Sequence, residues 1–480
     1  MNGAVIIPMI LFLIVVFLIG IYASRKVYGS SQFLQEYFLG GREFGGFLLA
    51  MTMVTTYTSA SSFIGGPGIA YQVGLGWVLL AMIQVVTGYV VLTILGKKFA
   101  IVTRRMKAVT MIDFLRKRYQ SKTVVILSAS CIILFLFSSM AAQWVGGGRL
   151  IQSITGWNYE TALIVFAVSV LVYVIIGGFR AVVITDSIQG VIMFLGTLLI
   201  MVATIVTGGG IPRIMRTLRN IDPGLITPFG PNHQFSALYV SSFWILVGIG
   251  VVGLPQIVIR AMSYKNSRAM HQALIIGTIV VGVIMFGMHF TGVLARAVMP
   301  NIKVGDQVMP LLAIHVLPDV LAGVVLAAPM AAIMTTVNAL LLQVSSSVVR
   351  DIYLNYIRPD ASDRMTRVLS MSVTGVIGLL VLFIAVKPPD LLIWLNLFAF
   401  GGLEAAFIWP VVLGLYWRKG NRFGALAAIV VGAVSYIVIQ SFFGNLFGMH
   451  PVVIPVFLSL ISYVVISLAT QKQSVPCLYI

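Results

Sequence analysis

Apolar runs of about twenty residues recur along the chain, separated by short polar and basic stretches. Taken at roughly 20 residues per bilayer crossing, they predict about thirteen helical segments. These start near Ala4, Phe47, Leu75, Thr123, Thr161, Val182, Ala237, Gln272, Val320, Val368, Leu391, Gly424 and Val452. The pattern predicts an all-α polytopic membrane protein with one transmembrane domain over residues 1–480. The largest loops fall at 97–122 and 208–235, and no stretch reads as a long linker or a soluble domain.

One segment breaks the pattern. The second apolar run is interrupted by Thr55-Thr56-Tyr57-Thr58-Ser59-Ala60-Ser61-Ser62 and then by Gly65-Gly66-Pro67-Gly68. In hydrocarbon every backbone polar group needs a partner, so a broken helix is tolerated only against protein or a water-filled cavity. Freed carbonyls and clustered hydroxyls are hard oxygen ligands for a small cation, which predicts an ion and solute site. The seventh segment is interrupted too, by Gly248, Gly250 and Gly253-Leu254-Pro255. Each interruption opens a set of five segments, 47–207 and 237–416. Because five is odd, the second set would be inverted relative to the first. Paired interrupted helices of this kind point to a midplane transport site.

Composition agrees with a membrane protein. Only 9% of the 480 residues are charged and mean hydropathy is +1.04, where a soluble domain carries about 25% charged residues. The net charge of +18 follows topology. With the N-terminus outside and the C-terminus inside, 24 of the 31 lysines and arginines fall in inside loops, as the positive-inside rule requires. Nucleic-acid binding is therefore not expected. The first segment, Ala4 to Tyr22, lacks a basic leader and a cleavage site and is read as a span. Cys131 and Cys477 allow no disulfide framework, and the five histidines show no ligand spacing. No P-loop, GxSxG or catalytic carboxylate pair is present. The expectation is a non-enzyme with no cofactor, driven by an ion gradient.

The ninth segment carries Ala332, Thr335 and Thr336 at i, i+3 and i+4, on one helix face. Together with the broken segment it offers oxygens without formal charge, a set suited to sodium rather than a divalent ion. Two of the thirteen acids are placed in or against segments, Asp186 and Glu404. Asp186 would either pair with Arg180 or serve ion passage. Glu404, among small residues, reads as a structural hydrogen-bonding group, with a functional role as the alternative. Arg149 would snorkel to the interface or attract an anionic solute. Trp77, Trp144, Trp244, Trp394 and Trp417 suggest an interfacial belt. Gln84, Gln143 and Gln256, with Ser59, Ser61 and Ser62, are candidate solute contacts or interhelical glue.

The chain resembles the sodium:solute symporters from end to end. The stretches that carry the resemblance are Tyr37 to Arg42, Gly177 to Val182 with Thr185 to Gln189, Ala332 to Thr336, and Gly401 to Pro410 followed by Gly414 to Trp417. Further stretches, Ser59 to Gly68, Gly74 to Gln84, Ser263 to Lys265 and Ile393 to Asn396, resemble one bacterial branch of the family. The resemblance implies a LeuT-like 5+5 inverted repeat with extra flanking helices. It also implies a sodium ion between the second and ninth segments, held by the carbonyls of Thr55, Thr58 and Ala332 and the hydroxyls of Thr335 and Thr336. Arg42 and Asp186 match family positions tied to sodium coupling. The proline-transporting branch has Asp where Tyr57 stands, and the sugar-transporting branch has Glu-Gln where Ser61-Ser62 stand. The implied solute is instead a small carboxylate, imported by alternating access across a bacterial inner membrane. A non-transporting sensor or scaffold would share the same fold.

Overall fold

The computed structural model describes residues 3–28, 44–388 and 391–471. Arg42 and Cys477 lie outside them, as do the side chain of Arg180 and the whole Tyr37–Arg42 stretch. Among the described residues the chain is helical, and the β-pairing is a lone bridge between Phe44 and Tyr264.

Among the described residues eight helices are long and apolar enough to cross a membrane, and ten if each of two bent pairs counts as one crossing. Three shorter apolar helices, Gly3–Val16, Tyr159–Val172 and Val453–Ala469, stand where the sequence places further segments. The bent pairs are the two interrupted segments. Gly46–Tyr57 meets Ser61–Val73 at 66°, and Ala237–Gly253 meets Pro255–Met262 at 56°. The chemistry of each break is local. At the first, Thr58 leaves the helical region at φ −75°, ψ 125°, and helix resumes through a π-turn, Ser61–Gly65. At the second, Leu254 is extended ahead of Pro255, as the residue before proline prefers.

The helices pack in two groups, joined where Tyr159–Thr207 lies against Gly46–Tyr57 and Ser267–Val298. The long helix Ser267–Val298 lies against both halves of the first broken span and against the Leu75–Ile94 span. Lys122–Thr155, Tyr159–Thr207, Asp319–Ser346 and Asp363–Ala385 pack on one another as a second group. Ile393–Tyr416 touches both, through Lys122–Thr155 on one side and Gly250–Gly253 on the other. Gly3–Tyr28 and the pair Arg422–Val438 and Val453–Ala469 flank the assembly.

Loops predicted on the same side of the membrane meet one another. Arg104 donates to the Tyr264 carbonyl, Thr110 Oγ1 to Asp351 (2.7 Å) and Arg118 Nε to the Gly414 carbonyl (2.7 Å). At the other end Tyr71 donates to the Met299 carbonyl (2.7 Å), and Ser236 to the Gly448 carbonyl (2.8 Å). A Cβ at Gly74, where φ is +79°, would also strike the Leu225 backbone.

Candidate ion and solute site

The first broken span and the Asp319–Ser346 helix meet through five oxygens. Thr335 Oγ1 donates to the Thr55 carbonyl at 2.8 Å and lies 3.0 Å from the Ala332 carbonyl. Thr336 Oγ1 lies 3.1 Å from the Thr58 carbonyl and 2.9 Å from that of Ala332. All five residues are buried. The break explains the convergence. A regular helix would commit the Thr55 and Thr58 carbonyls to N–H groups four residues on, whereas here they face a neighbouring helix. The two threonines stay on their own helix by bonding the Ala332 carbonyl, a common habit of membrane threonines. Turning each hydroxyl hydrogen aside would aim five lone pairs at one point, with no formal charge.

Asp186 joins this cluster from the Tyr159–Thr207 helix. Its Oδ2 accepts from Thr52 Oγ1 at 2.7 Å, one helical turn before Thr55. The carboxylate is fully buried and interacts electrostatically with Arg260 of the second broken span. Among the described side chains, the cationic group placed near it is Arg260.

Beyond the break lies a small cavity. Tyr57, Ser59, Ser61, Ser62, Trp77, Gln84, Phe243, His289, Asn396 and Phe400 are among its lining. Its volume is about 20 Å³, room for about one water, so the walls must part before a larger solute enters. The serines divide their work. Ser59 N–H donates to Ser62 Oγ (3.3 Å) and Ser61 N–H to Ser59 Oγ (3.1 Å). The Ser62 and Phe63 N–H groups both reach the Ser59 carbonyl. These are capping bonds that satisfy the start of the second half-helix, Ser61–Val73. Ser61 Oγ is left buried and without a protein partner, facing the cavity.

The glutamines separate as well. Gln84 lines the cavity. Gln143 accepts from the Ala60 N–H (2.9 Å) and donates to the Ser139 carbonyl (3.2 Å), so it holds the break in place. Gln256 is buried in the second broken span, away from the cavity lining.

Sequence reasoning missed several lining groups. His289 shows no metal-ligand spacing in the sequence, yet its ring sits in the cavity wall. Its Nδ1 is 2.7 Å from the Met285 carbonyl. A carbonyl can only accept, so Nδ1 carries the hydrogen and a neutral ring presents Nε2 as an acceptor. The signal available was an ionisable residue inside an apolar run. Asn396, a lone polar group in another such run, accepts from Ser139 Oγ (2.6 Å) and lines the same cavity.

Three sequence expectations need correction. Trp77 is not an interfacial anchor. It is buried and meets Phe235, Phe243 and Trp394 with centroids 5.8 to 6.2 Å apart, an aromatic wall on the cavity. Trp144 is likewise buried, donating to the Gly378 carbonyl. Asp113, Asp306 and Asp351, which the sequence leaves outside the segments, are fully buried as well. Loops and helix ends fold over these three, and a linear hydropathy reading cannot see that. Glu404 is not a structural hydrogen-bonding group, because neither carboxyl oxygen has a protein partner.

Asp306 offers a test of the loop before Asp319–Ser346. Its Oδ2 accepts from the Leu392 N–H at 3.1 Å, and a Cβ at Gly68 would strike the Gly305 backbone. This loop therefore ties the first broken span to the start of Ile393–Tyr416. Burial lifts the Asp306 carboxyl to about 7, opposed by the Leu392 N–H and by Arg149. The raised value means that the packed loop prefers the neutral acid. Its contribution is full below the ordinary 3.8, falls as pH rises, and is gone above about 7. A cysteine at Leu391 should thus react faster with a thiol reagent above about pH 7, measured against an exposed cysteine at Asn301. Asp306→Asn should remove that extra pH dependence.

The comparisons with known proteins fit this geometry. The sequence profile of the Sodium:solute symporter family matches residues 37–432. The chain belongs to the sodium:solute symporter family. Among its relatives in that family, the sodium/pantothenate symporter of Escherichia coli (strain K12) is 50% identical over 467 residues, covering 97% of this chain and 96% of that one. The Haemophilus influenzae sodium/pantothenate symporter is 48% identical over the same coverage. The osmoregulated proline transporter OpuE of Bacillus subtilis is 27% identical, covering 99% of this chain and 96% of that one. In structure, the chain superposes on a substrate-bound, outward-open Na+-coupled sialic acid symporter with a TM-score of 0.78, at 19% identity and 98% coverage of both. The nucleobase-cation-symport-1 transporter Mhp1, closed around bromovinylhydantoin, gives 0.55 at 15% identity. The fold is thus that of LeuT-like sodium symporters. The coupling ion of this family is sodium, and its members move solutes through a multi-pass membrane domain.

Proposed function

We propose that this protein imports pantothenate in symport with sodium across a bacterial inner membrane. One observation carries the reading. The carbonyls that face the threonine pair (Thr55, Thr58) and the groups that face the cavity (Tyr57, Ser59, Ser61, Ser62) belong to a single eight-residue break. Two relatives that are half identical over nearly the whole chain are sodium/pantothenate symporters, which supports the choice of solute.

Sodium would sit among Thr55, Thr58, Ala332, Thr335 and Thr336, with Asp186 and Arg42 acting on its coupling. Bound there, it would clamp the first broken span to the Asp319–Ser346 helix and favour the outward-facing state. The solute carboxylate would meet Ser61 Oγ. Its hydroxyl and amide donors suit Gln84, Asn396 and the bare Nε2 of His289. Repeats 47–207 and 237–416 would supply the two halves that rock about this site. Coupling is reciprocal, so solute must tighten sodium by the factor that sodium tightens solute. Pantothenate is a monoanion. With one sodium, a tenfold sodium gradient sustains about tenfold accumulation, about 1.4 kcal/mol.

The test is uptake of labelled pantothenate into proteoliposomes under an imposed sodium gradient, with a panel of small carboxylates as competitors. Uptake that needs the gradient and yields only to close analogues supports the reading. Gradient-driven uptake that another carboxylate saturates first would replace the solute, and no uptake at all would leave a scaffold. The N-terminus is proposed outside and the C-terminus in the cytoplasm. Cysteines at Asn232 and Asn301 should then label from outside with an impermeant reagent, and one at Lys122 should not. The reverse pattern would invert the orientation.

A further inference from the structure

Glu404 lies in the Ile393–Tyr416 helix, which bridges the two packing groups, and it is fully buried. Both carboxyl oxygens lack a protein hydrogen-bond partner. What faces them is the second break. A Cβ at Gly250 would fall 2.5 Å from Glu404 Oε2 and 2.2 Å from the Ile245 carbonyl, and one at Gly253 would fall 3.1 Å from the Glu404 Cα. Only glycine allows this approach. The titratable groups that feel the carboxyl are Tyr57 from the first broken span and Tyr436 from the Arg422–Val438 helix. No lysine, arginine or histidine among the described residues offsets a charge there. One turn away, Phe400 lines the cavity and packs on Tyr57 at 6.3 Å. The Tyr57 hydroxyl in turn donates to the Val247 carbonyl of the same second break (3.2 Å).

An ionised carboxylate without a counter-charge inside a bilayer is strongly disfavoured, so something positive must neutralise Glu404. Sodium needs several oxygens, as hard cations do. Beside Oε2 the Gly250 backbone fills the space and the Ile245 carbonyl is the one further oxygen identified. A proton needs a single carboxylate oxygen.

We propose that Glu404 is a second cation site of the transporter and that its cation is a proton. The carboxyl is neutral while Gly250–Gly253 packs on it. When the second broken span withdraws, water reaches the group and the O–H proton leaves to solvent, giving the carboxylate. Repacking takes one proton back. Protonation is thereby linked to the rearrangement that opens the cavity, and low pH favours the packed state.

Two measurements decide this. Infrared spectra of the purified full-length protein should contain a protonated-carboxyl band that is missing in Glu404→Gln. This arm is independent of the solute, so it stands even if the pantothenate reading fails. In proteoliposomes, sodium-driven pantothenate uptake rests on that reading. Its half-saturating sodium concentration should shift with pH, by no more than about tenfold per unit for one proton. In Glu404→Gln the share of that shift due to Glu404 should be lost, leaving whatever Asp186, Asp306 and His289 contribute. Glu404→Leu, equally unable to titrate, serves if the glutamine variant fails to reach the membrane. Loss of both band and shift supports the proposal. An unchanged band, or an unchanged pH profile in both variants, overturns it.

Discussion

Thr336→Ala is expected to raise the sodium concentration for half-maximal uptake by about tenfold to a hundredfold. A hydrogen bond or ligand contact to a charged species is worth about 1.5–3 kcal/mol, and about 1.4 kcal/mol is a factor of ten. Thr335→Ala should behave alike, because each hydroxyl bridges a carbonyl of the first broken span to the Ala332 carbonyl. Those bonds also hold the helices together without an ion, at about 0.5–1.5 kcal/mol each. Some loss of stability should therefore accompany each alanine. Serine separates the two effects. Thr335→Ser and Thr336→Ser keep the oxygen and lose only a methyl, so sodium dependence should stay within a few-fold of the parent. The measurement is the sodium titration of initial uptake rates, at matched amounts of inserted protein. Parental sodium dependence in both alanine variants would show that the ion binds elsewhere.

The second large effect is expected at Ser61. Its hydroxyl faces the cavity without a protein partner, while Ser59 and Ser62 are spent on capping the second half-helix. Ser61→Leu removes a donor for the solute carboxylate and fills a cavity of about 20 Å³. The loss of a charged hydrogen bond alone should raise the apparent KM for pantothenate about tenfold or more. Half-saturating sodium should move much less, and excess sodium should relieve the defect only in part. Ser62→Leu is expected to differ. It breaks the cap on the Ser59 N–H and so disturbs the Thr58 carbonyl of the same peptide unit, and sodium and solute dependence should worsen together. If Ser61→Leu leaves the KM unchanged, the carboxylate does not meet Ser61, and Gln84, His289 and Asn396 of the same cavity become the groups to vary.

Much of this arrangement was legible in the chain. Hydroxyl and glycine residues inside an apolar run can be tolerated only at a site, so Thr55 to Gly68 announced itself. The i, i+3, i+4 spacing of Ala332, Thr335 and Thr336 placed three oxygens on one face. Facing Thr55 and Thr58 across that gap is a tertiary fact, and the family resemblance supplied it before the geometry did. The rest was hidden for stated reasons. Trp77 lies near a segment end in sequence, and only folding turns it into an aromatic wall. Asp306 and Asp351 look like loop and helix-end acids until other chain segments bury them. His289 escaped because histidines were sorted by metal spacing, whereas one imidazole in an apolar span already asks for a partner. Gln143 and Gln84 are indistinguishable in sequence, yet one caps the break and the other borders the cavity.

The central claim is that sodium at the threonine cluster sets the affinity of the neighbouring cavity. Equilibrium binding of labelled pantothenate to purified protein, titrated over sodium concentration, tests it without transport. The parent should bind severalfold to a hundredfold more tightly as sodium saturates, within the usual range of site-to-site coupling, about 1–3 kcal/mol. Thr336→Ala should need about tenfold more sodium for the same gain. Pantothenate affinity that is indifferent to sodium in the parent would contradict the account.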